Sequence, residues 1–190
     1  MRIIAGYLKG RQVESPKKYT THPMSEKIRG ALFNTLGDIE GLEILDAYAG
    51  SGAIGIEAIS RGAKYVVACD INTAAFKVLE NNIKVLEIKD KIKAIHANST
   101  SFIDTNPRKY DLVICDPPYN DVKPSQLKAL SSSVKKNGLL VLSLPPETPQ
   151  QSFDNFELEL NKSYGDATLW FYKHKIIKNQ NQIVQKHWTI

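Results

Sequence analysis

Short apolar runs alternate with amphipathic stretches between residues 43 and 144 of the chain. The apolar runs have the length and composition of strands, and the stretches between them place apolar residues three and four positions apart, as helices do. This pattern predicts strands and helices in alternation. The predicted strands are 43–48, 65–70, 91–96, 110–116 and 138–144, and the predicted helices are 53–62, 72–86 and 123–138.

Alternation of apolar strands with helices is typical of a mainly parallel sheet that is covered on both faces. Two further strand patterns, 156–160 and 167–173, are too close in sequence for a crossover helix and favour an antiparallel hairpin. The predicted fold class is therefore α/β: a doubly wound, mainly parallel, seven-stranded Rossmann-like sheet that ends in an antiparallel hairpin.

The front of the chain has a different pattern. "RIIAGYLKGRQVES" predicts a small β-hairpin with its turn near Lys9-Gly10, and 26–37 predicts a helix with Ser25 as N-cap and Gly37 as C-cap. We therefore predict a basic N-terminal extension (1–24), one main domain (25–173) and a basic C-terminal tail (174–190).

The net charge of +5 is unevenly distributed along the 190 residues. Residues 1–29 carry +5, residues 30–172 carry −4 and residues 173–190 carry +4. Basic ends on an acidic middle favour a polyanionic partner such as nucleic acid, because Lys and Arg clusters release counterions when they bind it.

Composition also narrows the class of protein. No window approaches the ~20 apolar residues that a membrane span needs, so no membrane partner is expected. The two cysteines, Cys69 and Cys115, lie inside apolar runs without zinc-ligand spacing, which favours a reduced cytoplasm and no metal.

A glycine-rich turn follows the first predicted sheet strand. Gly50, Gly52 and Gly55 have G-x-G-x-x-G spacing in "DAYAGSGAIGIEA", which allows a tight turn and close approach of backbone to a ligand. Asp70 ends the next strand, where an acid commonly accepts hydrogen bonds from ribose hydroxyls. The pair fits either a dinucleotide such as NAD or S-adenosylmethionine.

Asp46 bears on that choice because it lies at the end of the first strand, directly before the turn. Its carboxylate would repel a pyrophosphate but suits a cofactor with a cationic sulfonium and an amino group. At the end of the third strand, Asn98 or Ser99 is a candidate for the adenine edge. The candidate cofactor residues are Asp46, Ala49, Gly50, Ser51, Gly52, Asp70, Ile71, Asn98 and Ser99.

The fourth strand ends in Asp116-Pro117-Pro118-Tyr119. Two prolines fix the backbone, so that the Asp116 carboxylate and the Pro117 carbonyl could accept both hydrogens of an exocyclic amino group. The Tyr119 ring could stack on the base that carries this group. These four residues are the candidate catalytic residues for methylation of a base amino group.

Together these segments resemble the class I S-adenosylmethionine-dependent methyltransferases with a (D/N)PP(Y/F) motif. More narrowly, the chain resembles the RsmD family, bacterial guanine-N2 methyltransferases of small-subunit ribosomal RNA. The segments that carry the resemblance span residues 1–173. They are "MRIIAGYLKGRQV", "SEKIRGALFNTLG", "LDAYAGSGAIGIEAISRGA", "DPPY" and "YGDATLWFYK". The chain differs from the family at His22-Pro23-Met24, commonly Arg-Pro-Thr, and at Ala47-Tyr48, usually Leu-Phe.

The resemblance implies transfer of a methyl group from S-adenosylmethionine to guanine N2 in 16S ribosomal RNA, free or within the assembling small subunit. It implies a cofactor site at the glycine turn, catalysis at residues 116–119 and an RNA contact on the basic N-terminal segment. The candidate RNA-contact residues are Arg2, Lys9, Arg11, Lys17, Lys18, His22 and Arg29. A cytoplasmic monomer is expected.

Three alternatives remain open from the sequence. An NAD-linked oxidoreductase would share the glycine turn and Asp70 but leaves residues 116–119 unexplained. A non-catalytic RNA-binding or ribosome-assembly protein would bind RNA independently of Asp116. A methylase of adenine N6 or cytosine N4, in RNA or DNA, would share the Asp-Pro-Pro-Tyr motif.

Overall fold

The computed structural model describes residues 1–16 and 24–175. Its centre is one seven-stranded sheet of order β3-β2-β1-β4-β5-β7-β6, in which β1 to β5 are parallel. The strands are β1 (Glu43–Asp46), β2 (Tyr65–Asp70), β3 (Ile92–His96), β4 (Tyr110–Cys115), β5 (Val134–Leu144), β6 (Phe156–Tyr164) and β7 (Ala167–His174). The predicted α/β sheet and its antiparallel end are confirmed.

Helices cover both faces of this sheet. They are α1 (Glu26–Leu36), α2 (Ala53–Ser60), α3 (Thr73–Val85), α4 (Ser99–Thr105) and α5 (Pro124–Ser131). Apolar residues of α1, α2 and α3 form one core with the strands, and those of α4 and α5 form the other on the opposite face. The strands β1, β2 and β4 are apolar in both directions because their side chains meet a helix layer on either face, whereas the edge strands β3 and β6 carry polar residues and are partly exposed.

The ends of α1 follow the sequence prediction. The Ser25 side chain accepts a hydrogen bond from the Ile28 amide, and Gly37 ends the helix with φ 70°. At the other end of the chain, β6 and β7 pair through Tyr164 and Ala167, and Gly165 takes the positive φ of 56° that this tight turn requires.

The start of β5 was predicted wrongly as the end of a helix. The α5 helix stops at Ser131, where the hydroxyls of Ser131 and Ser133 donate to carbonyls three residues earlier and end the helical pattern. The chain then enters β5, with a shift in register against β4 at Gly138. A Cβ on Gly138 would lie 2.8 Å from the Asp111 carbonyl oxygen, so this close approach requires glycine.

The sequence pattern also missed α4, which has only seven residues. The predicted N-terminal hairpin contains a single antiparallel bridge between Arg2 and Gln12 rather than two full strands. Its apolar residues Ile3, Leu8 and Val13 are nevertheless buried in the core.

The N-terminal segment (residues 1–16) is held on α2 by the buried Glu57 carboxylate. The amides of Ile4 and Ala5 donate to it at 2.8 and 3.0 Å, and the Arg61 guanidinium donates at 2.8 Å. Arg29 on α1 lies 3.7 Å from the same carboxylate. One fully buried acid therefore joins the segment to α1 and α2.

Candidate active site

Three acids meet at the carboxyl ends of the three neighbouring strands β2, β1 and β4. Asp70 ends β2, Asp46 ends β1, and Asp116 directly follows β4. The register pairs Asp46 with Ala68 on one side and Ile114 on the other. The candidate cofactor and catalytic residues thus share the edge where parallel sheets bind ligands.

The glycine turn between β1 and α2 depends on its glycines in different ways. Gly50 and Gly52 have φ of 56° and 84°, values that favour glycine. No atom of residues 1–16 or 24–175 lies within 4 Å of a Cβ built on Gly50, whereas one on Gly52 would be 2.4 Å from Leu79. A Cβ on Gly55 would be 3.0 Å from Val66 on β2, so this glycine permits close helix–sheet packing. The turn therefore has open space at Gly50 and tight packing behind it.

Asp46 is completely buried. Its Oδ2 accepts from the Gly55 amide at 3.0 Å, while Oδ1 has no hydrogen-bond partner among the described residues. Burial raises the pKa of Asp46 to about 7; the Gly55 hydrogen bond opposes this shift, and the nearby carboxylates of Asp116 and Asp70 add to it. A buried, unpaired acceptor oxygen at this position fits a cationic or hydrogen-bond-donating ligand.

Asp70 is also nearly buried, and both of its oxygens accept backbone hydrogen bonds. The amides of Gly50 and Asn72 each donate to it at 2.7 Å. The next residue, Ile71, has 66% of its surface exposed and so offers an apolar face beside this carboxylate. An acid with spare lone pairs next to an exposed apolar side chain suits a ribose attached to a flat base.

The structure gives Asn98 and Ser99 local roles at the start of α4. The Asn98 Oδ1 accepts from the Thr100 amide and hydroxyl, and the buried Ser99 hydroxyl donates to the Ala47 carbonyl. The Ser99 hydroxyl is therefore already engaged with β1. Ala49 and Ser51 are buried in the turn, where the Ala49 amide donates to the Cys69 carbonyl.

The four candidate catalytic residues form a stiff, partly exposed corner after β4. Pro117 is buried, and Tyr119 begins a short 3-10 helix (Tyr119–Asp121) with 41% of its surface exposed. The Pro118 carbonyl accepts from the Asp121 amide, while the Pro117 carbonyl accepts no hydrogen bond from the described residues. The ring of Tyr119 is thus exposed for contact with another molecule, and the Pro117 carbonyl keeps its capacity to accept a hydrogen bond.

Asp116 keeps partial contact with solvent. Loss of the rest of its solvation by the surrounding protein raises the pKa of its carboxyl to about 6. The Ser143 hydroxyl opposes this shift, and the carboxylate of Asp166 in the β6–β7 turn adds to it. The carboxylate is therefore mainly ionised at neutral pH, yet more basic than an exposed aspartate.

Ser143 near the end of β5 is a site residue that the sequence reasoning missed. It is 1% exposed, and its Oγ lies 3.3 Å from the Tyr119 hydroxyl, where it fixes the direction of the ring. Burial raises the pKa of Tyr119 to about 12, so the phenol stays protonated. The signal was a single hydroxyl in the apolar run "GLLVLSL", at the sheet edge that carries the site.

The predicted RNA-contact residues divide into three groups. Arg2, Lys9 and Arg11 are exposed on the N-terminal segment. The prediction for Arg29 is wrong, because its side chain is completely buried and donates to the Arg2 carbonyl at 2.6 Å, beside Glu57. Lys17, Lys18 and His22, together with tail residues 176–190, lie outside the described part of the chain.

Residues 1–16 and 24–175 contain neither a membrane-spanning helix nor a cluster of metal ligands. No helix there is long and apolar enough to cross a membrane. No group of three or more His, Cys, Asp or Glu side chains in that part of the chain is placed to hold a metal ion.

Comparisons with known proteins place this geometry among relatives. A family model described as "Conserved hypothetical protein 95" matches residues 1–173. A candidate rRNA methyltransferase, YlbH from Bacillus subtilis, is 33% identical over 188 residues, which cover 92% of this chain and 100% of that protein. Ribosomal RNA small subunit methyltransferase D from Buchnera aphidicola is 34% identical over 145 residues, covering 74% of this chain and 75% of that protein.

A solved structure shows the same fold. The Escherichia coli protein yhhF, described as a candidate methyltransferase, superposes with a TM-score of 0.82 at 26% identity. The match covers 92% of this chain and 98% of that one.

Proposed function

The chain belongs to the Conserved hypothetical protein 95 family, the RsmD family of S-adenosylmethionine-dependent methyltransferases, and from that membership we propose that it methylates the exocyclic N2 of a guanine in 16S ribosomal RNA. The observation that carries this proposal is the position of Asp116-Pro117-Pro118-Tyr119 after β4, beside the glycine turn after β1. The proposed acceptors of the amino group, which follow β4, therefore lie next to the proposed cofactor turn, which follows β1.

The residues around the turn fit S-adenosylmethionine. Asp46 offers its unpaired Oδ1 to positive charge, Gly50 leaves open space, and Asp70 and Ile71 supply an acceptor and an apolar face. When bound, this cofactor supplies an electrophilic methyl group on a cationic sulfonium. The same buried carboxylate disfavours NAD, since a pyrophosphate at the turn would set two negative charges close to Asp46.

Asp116 and the Pro117 carbonyl would hold the amine. Two acceptors for its two N–H groups aim the nitrogen lone pair toward the glycine turn, which contributes to the rate through orientation. A guanine N2 held in this way would take the methyl group that the cofactor supplies, with the sulfur leaving as a neutral thioether, and the nitrogen would then carry the positive charge. Asp116 then accepts its proton; earlier removal is disfavoured because the pKa of this carboxyl, about 6, is far below that of a neutral arylamine.

Tyr119 would support the base during this step. Its exposed ring face can stack on guanine, and the contact to Ser143 keeps the ring from turning away. A base inside a helical stem would have to leave its stack to reach this corner. Arg2, Lys9 and Arg11 of the N-terminal segment would contact phosphates of the surrounding RNA.

The test is methylation of small ribosomal subunits that lack the modification, with isotopically labelled S-adenosylmethionine and nucleoside mass spectrometry. We expect label in N2-methylguanosine, and loss of label with Asp116→Ala when that variant still binds cofactor and RNA. Label in adenine or cytosine would overturn the substrate, and full activity of Asp116→Ala would overturn the mechanism.

A further inference from the structure

Asn82 is a buried polar residue on the apolar face of α3 and has three hydrogen bonds to backbone. Its Nδ2 donates to the Ser51 carbonyl at 2.9 Å and to the Glu14 carbonyl at 3.1 Å. Its Oδ1 accepts from the Glu14 amide at 3.0 Å. The side chain is 4% exposed, so these bonds are shielded from water.

The two segments that Asn82 joins have different proposed tasks. Ser51 lies between Gly50 and Gly52 in the turn assigned to the cofactor. Glu14 lies near the end of the described N-terminal segment that carries Arg2, Lys9 and Arg11, and it precedes Lys17 and Lys18 by a few residues. One amide therefore connects the proposed RNA-contact segment to the proposed cofactor turn.

A second connection runs parallel to this one. The N-terminal segment bonds to Glu57 and, through the Leu8 amide, to the Ser60 hydroxyl on α2, the helix that begins at the glycine turn. On α3, Leu79 lies one turn before Asn82 and is in close contact with Gly52. A shift of the segment would therefore act on the turn through α2 and α3, but among the described residues only the Asn82 side chain bonds directly to both backbones.

We infer that Asn82 is a positioning residue that couples RNA binding on the N-terminal segment to cofactor binding at the glycine turn. RNA bound to the segment would hold Ser51 in place through Asn82 and so raise the affinity for cofactor. Coupling of this kind is reciprocal, so cofactor would raise the affinity for RNA by the same factor. The inference rests on the proposed function, because it needs both ligands to bind.

The sharpest variant is Asn82→Asp, which keeps an acceptor for the Glu14 amide but loses both donations. Asn82→Ala removes all three bonds, and melting curves establish that each variant is folded before binding is measured. Asn81→Ala is the matched control: Asn81 is the exposed neighbour, and within the described part of the chain its side chain hydrogen-bonds only to the Glu14 side chain, at 3.3 Å.

The first measurement is hydrogen exchange with S-adenosylhomocysteine as the probe. In the unmodified protein and in Asn81→Ala, we expect added probe to slow exchange both at the glycine turn and at residues 12–15. In the Asn82 variants, added probe should slow hydrogen exchange at the glycine turn but not at residues 12–15. A purely structural role for Asn82 would lower the melting temperature without separating these two regions, and slowing at 12–15 in Asn82→Asp would overturn the inference.

The second measurement is the dissociation constant of S-adenosylhomocysteine with and without saturating unmodified small-subunit RNA. We expect RNA to tighten binding about fivefold or more in the unmodified protein, and to have almost no effect in Asn82→Asp. Absence of an RNA effect in the unmodified protein would overturn the coupling while leaving the proposed function in place. Failure of the unmodified protein to bind S-adenosylhomocysteine at all would instead overturn the proposed function.

Discussion

The Gly50 amide donates a 2.7 Å hydrogen bond to Oδ2 of Asp70, so the turn after β1 and the acid that ends β2 form one unit. Replacement of Asp70 by alanine removes this bond and the one from Asn72 as well as the proposed ribose acceptor. We expect S-adenosylhomocysteine affinity, measured by calorimetry, to fall roughly 10- to 100-fold, because a hydrogen bond to a charged group contributes about 1.5–3 kcal/mol. The exposed Asp90, replaced in the same way, should leave affinity unchanged.

Asp46→Asn should raise the stability of the protein at pH 8 and, at the same time, weaken cofactor binding. The native pKa of Asp46, about 7, lies above the ordinary value of 3.8, so the folded protein holds this proton more tightly than the unfolded chain does. The stability linked to this group is therefore full below about pH 3.8 and is lost progressively as pH rises from there through about 7. The variant avoids this loss, so we expect its free energy of unfolding at pH 8 to exceed that of the unmodified protein by about 1–3 kcal/mol.

Urea titrations at pH 5 and pH 8 measure this difference, which should be much smaller at pH 5. Cofactor binding should weaken in the same variant, since the unpaired carboxylate oxygen is gone. A variant that is less stable than the unmodified protein at pH 8 would show that the Asp46 charge is compensated in the folded state.

The pH dependence of methylation should follow Asp116. Because its pKa is raised to about 6 and the ionised form is needed to accept from the amine, kcat/KM should rise with pH and level off above about 7. Asp166→Asn removes a neighbouring negative charge and should move the midpoint to lower pH. The shift should be only a few tenths of a pH unit, because Asp166 is exposed and solvent screens its charge.

Asp121→Asn is the control for that shift. Asp121 is closer to Asp116 in sequence than Asp166 is. Its exposed carboxylate, however, pairs with Lys123 at 3.1 Å and does not contribute to the pKa of Asp116. An equal movement of the midpoint in both variants would contradict the role given to Asp166.

Substitutions at Tyr119 should distinguish stacking from hydrogen bonding. Tyr119→Ala loses the ring, and we expect kcat/KM to fall about 5- to 150-fold, the equivalent of a stacking free energy of about 1–3 kcal/mol. Tyr119→Phe keeps the ring but loses the contact to Ser143 and should lose much less. Equal losses in steady-state assays of the two variants would show that the hydroxyl, rather than the ring face, matters.

Substitution of Arg29 should affect stability, whereas substitution of Lys9 should affect RNA binding, although both residues are basic. Arg29→Ala leaves the buried Glu57 with fewer partners and should lower the free energy of unfolding by about 2–4 kcal/mol, with RNA affinity of the folded protein unchanged. Burial already lowers the pKa of the Arg29 guanidinium, and Glu57 opposes that shift. Lys9→Ala should leave stability unchanged and reduce the salt dependence of RNA binding, as expected on losing a phosphate contact.

The sequence predicted a mainly parallel sheet because β1, β2 and β4 are short apolar runs that alternate with helical patterns along the chain. It also placed Asp46, Asp70 and Asp116 at the ends of predicted strands, and the carboxyl ends of parallel strands meet at one edge. These inferences depend only on local pattern and on the general geometry of such sheets.

Other features depend on partners far away in sequence. Arg29 looked like a surface charge in a basic segment, and its burial depends on Glu57 in another helix. Ser143 and Asn82 looked like ordinary polar residues, because their partners, Tyr119 and Ser51, are brought to them only by the folded sheet. The beginning of β5 was misread because three serines and two lysines continue a helical pattern that side-chain bonds to the backbone end.

The dependence of the N-terminal segment on Glu57 has a consequence for synthesis of the protein. The segment is made first, yet its anchoring acid follows 53 residues after Ile4. At a translation rate of ~5–20 residues per second, Ile3 and Leu8 therefore wait on the order of 3–10 seconds before the surface that buries them has been made. During that interval, chaperones that bind apolar peptide would compete with the native contacts for the first residues of the chain.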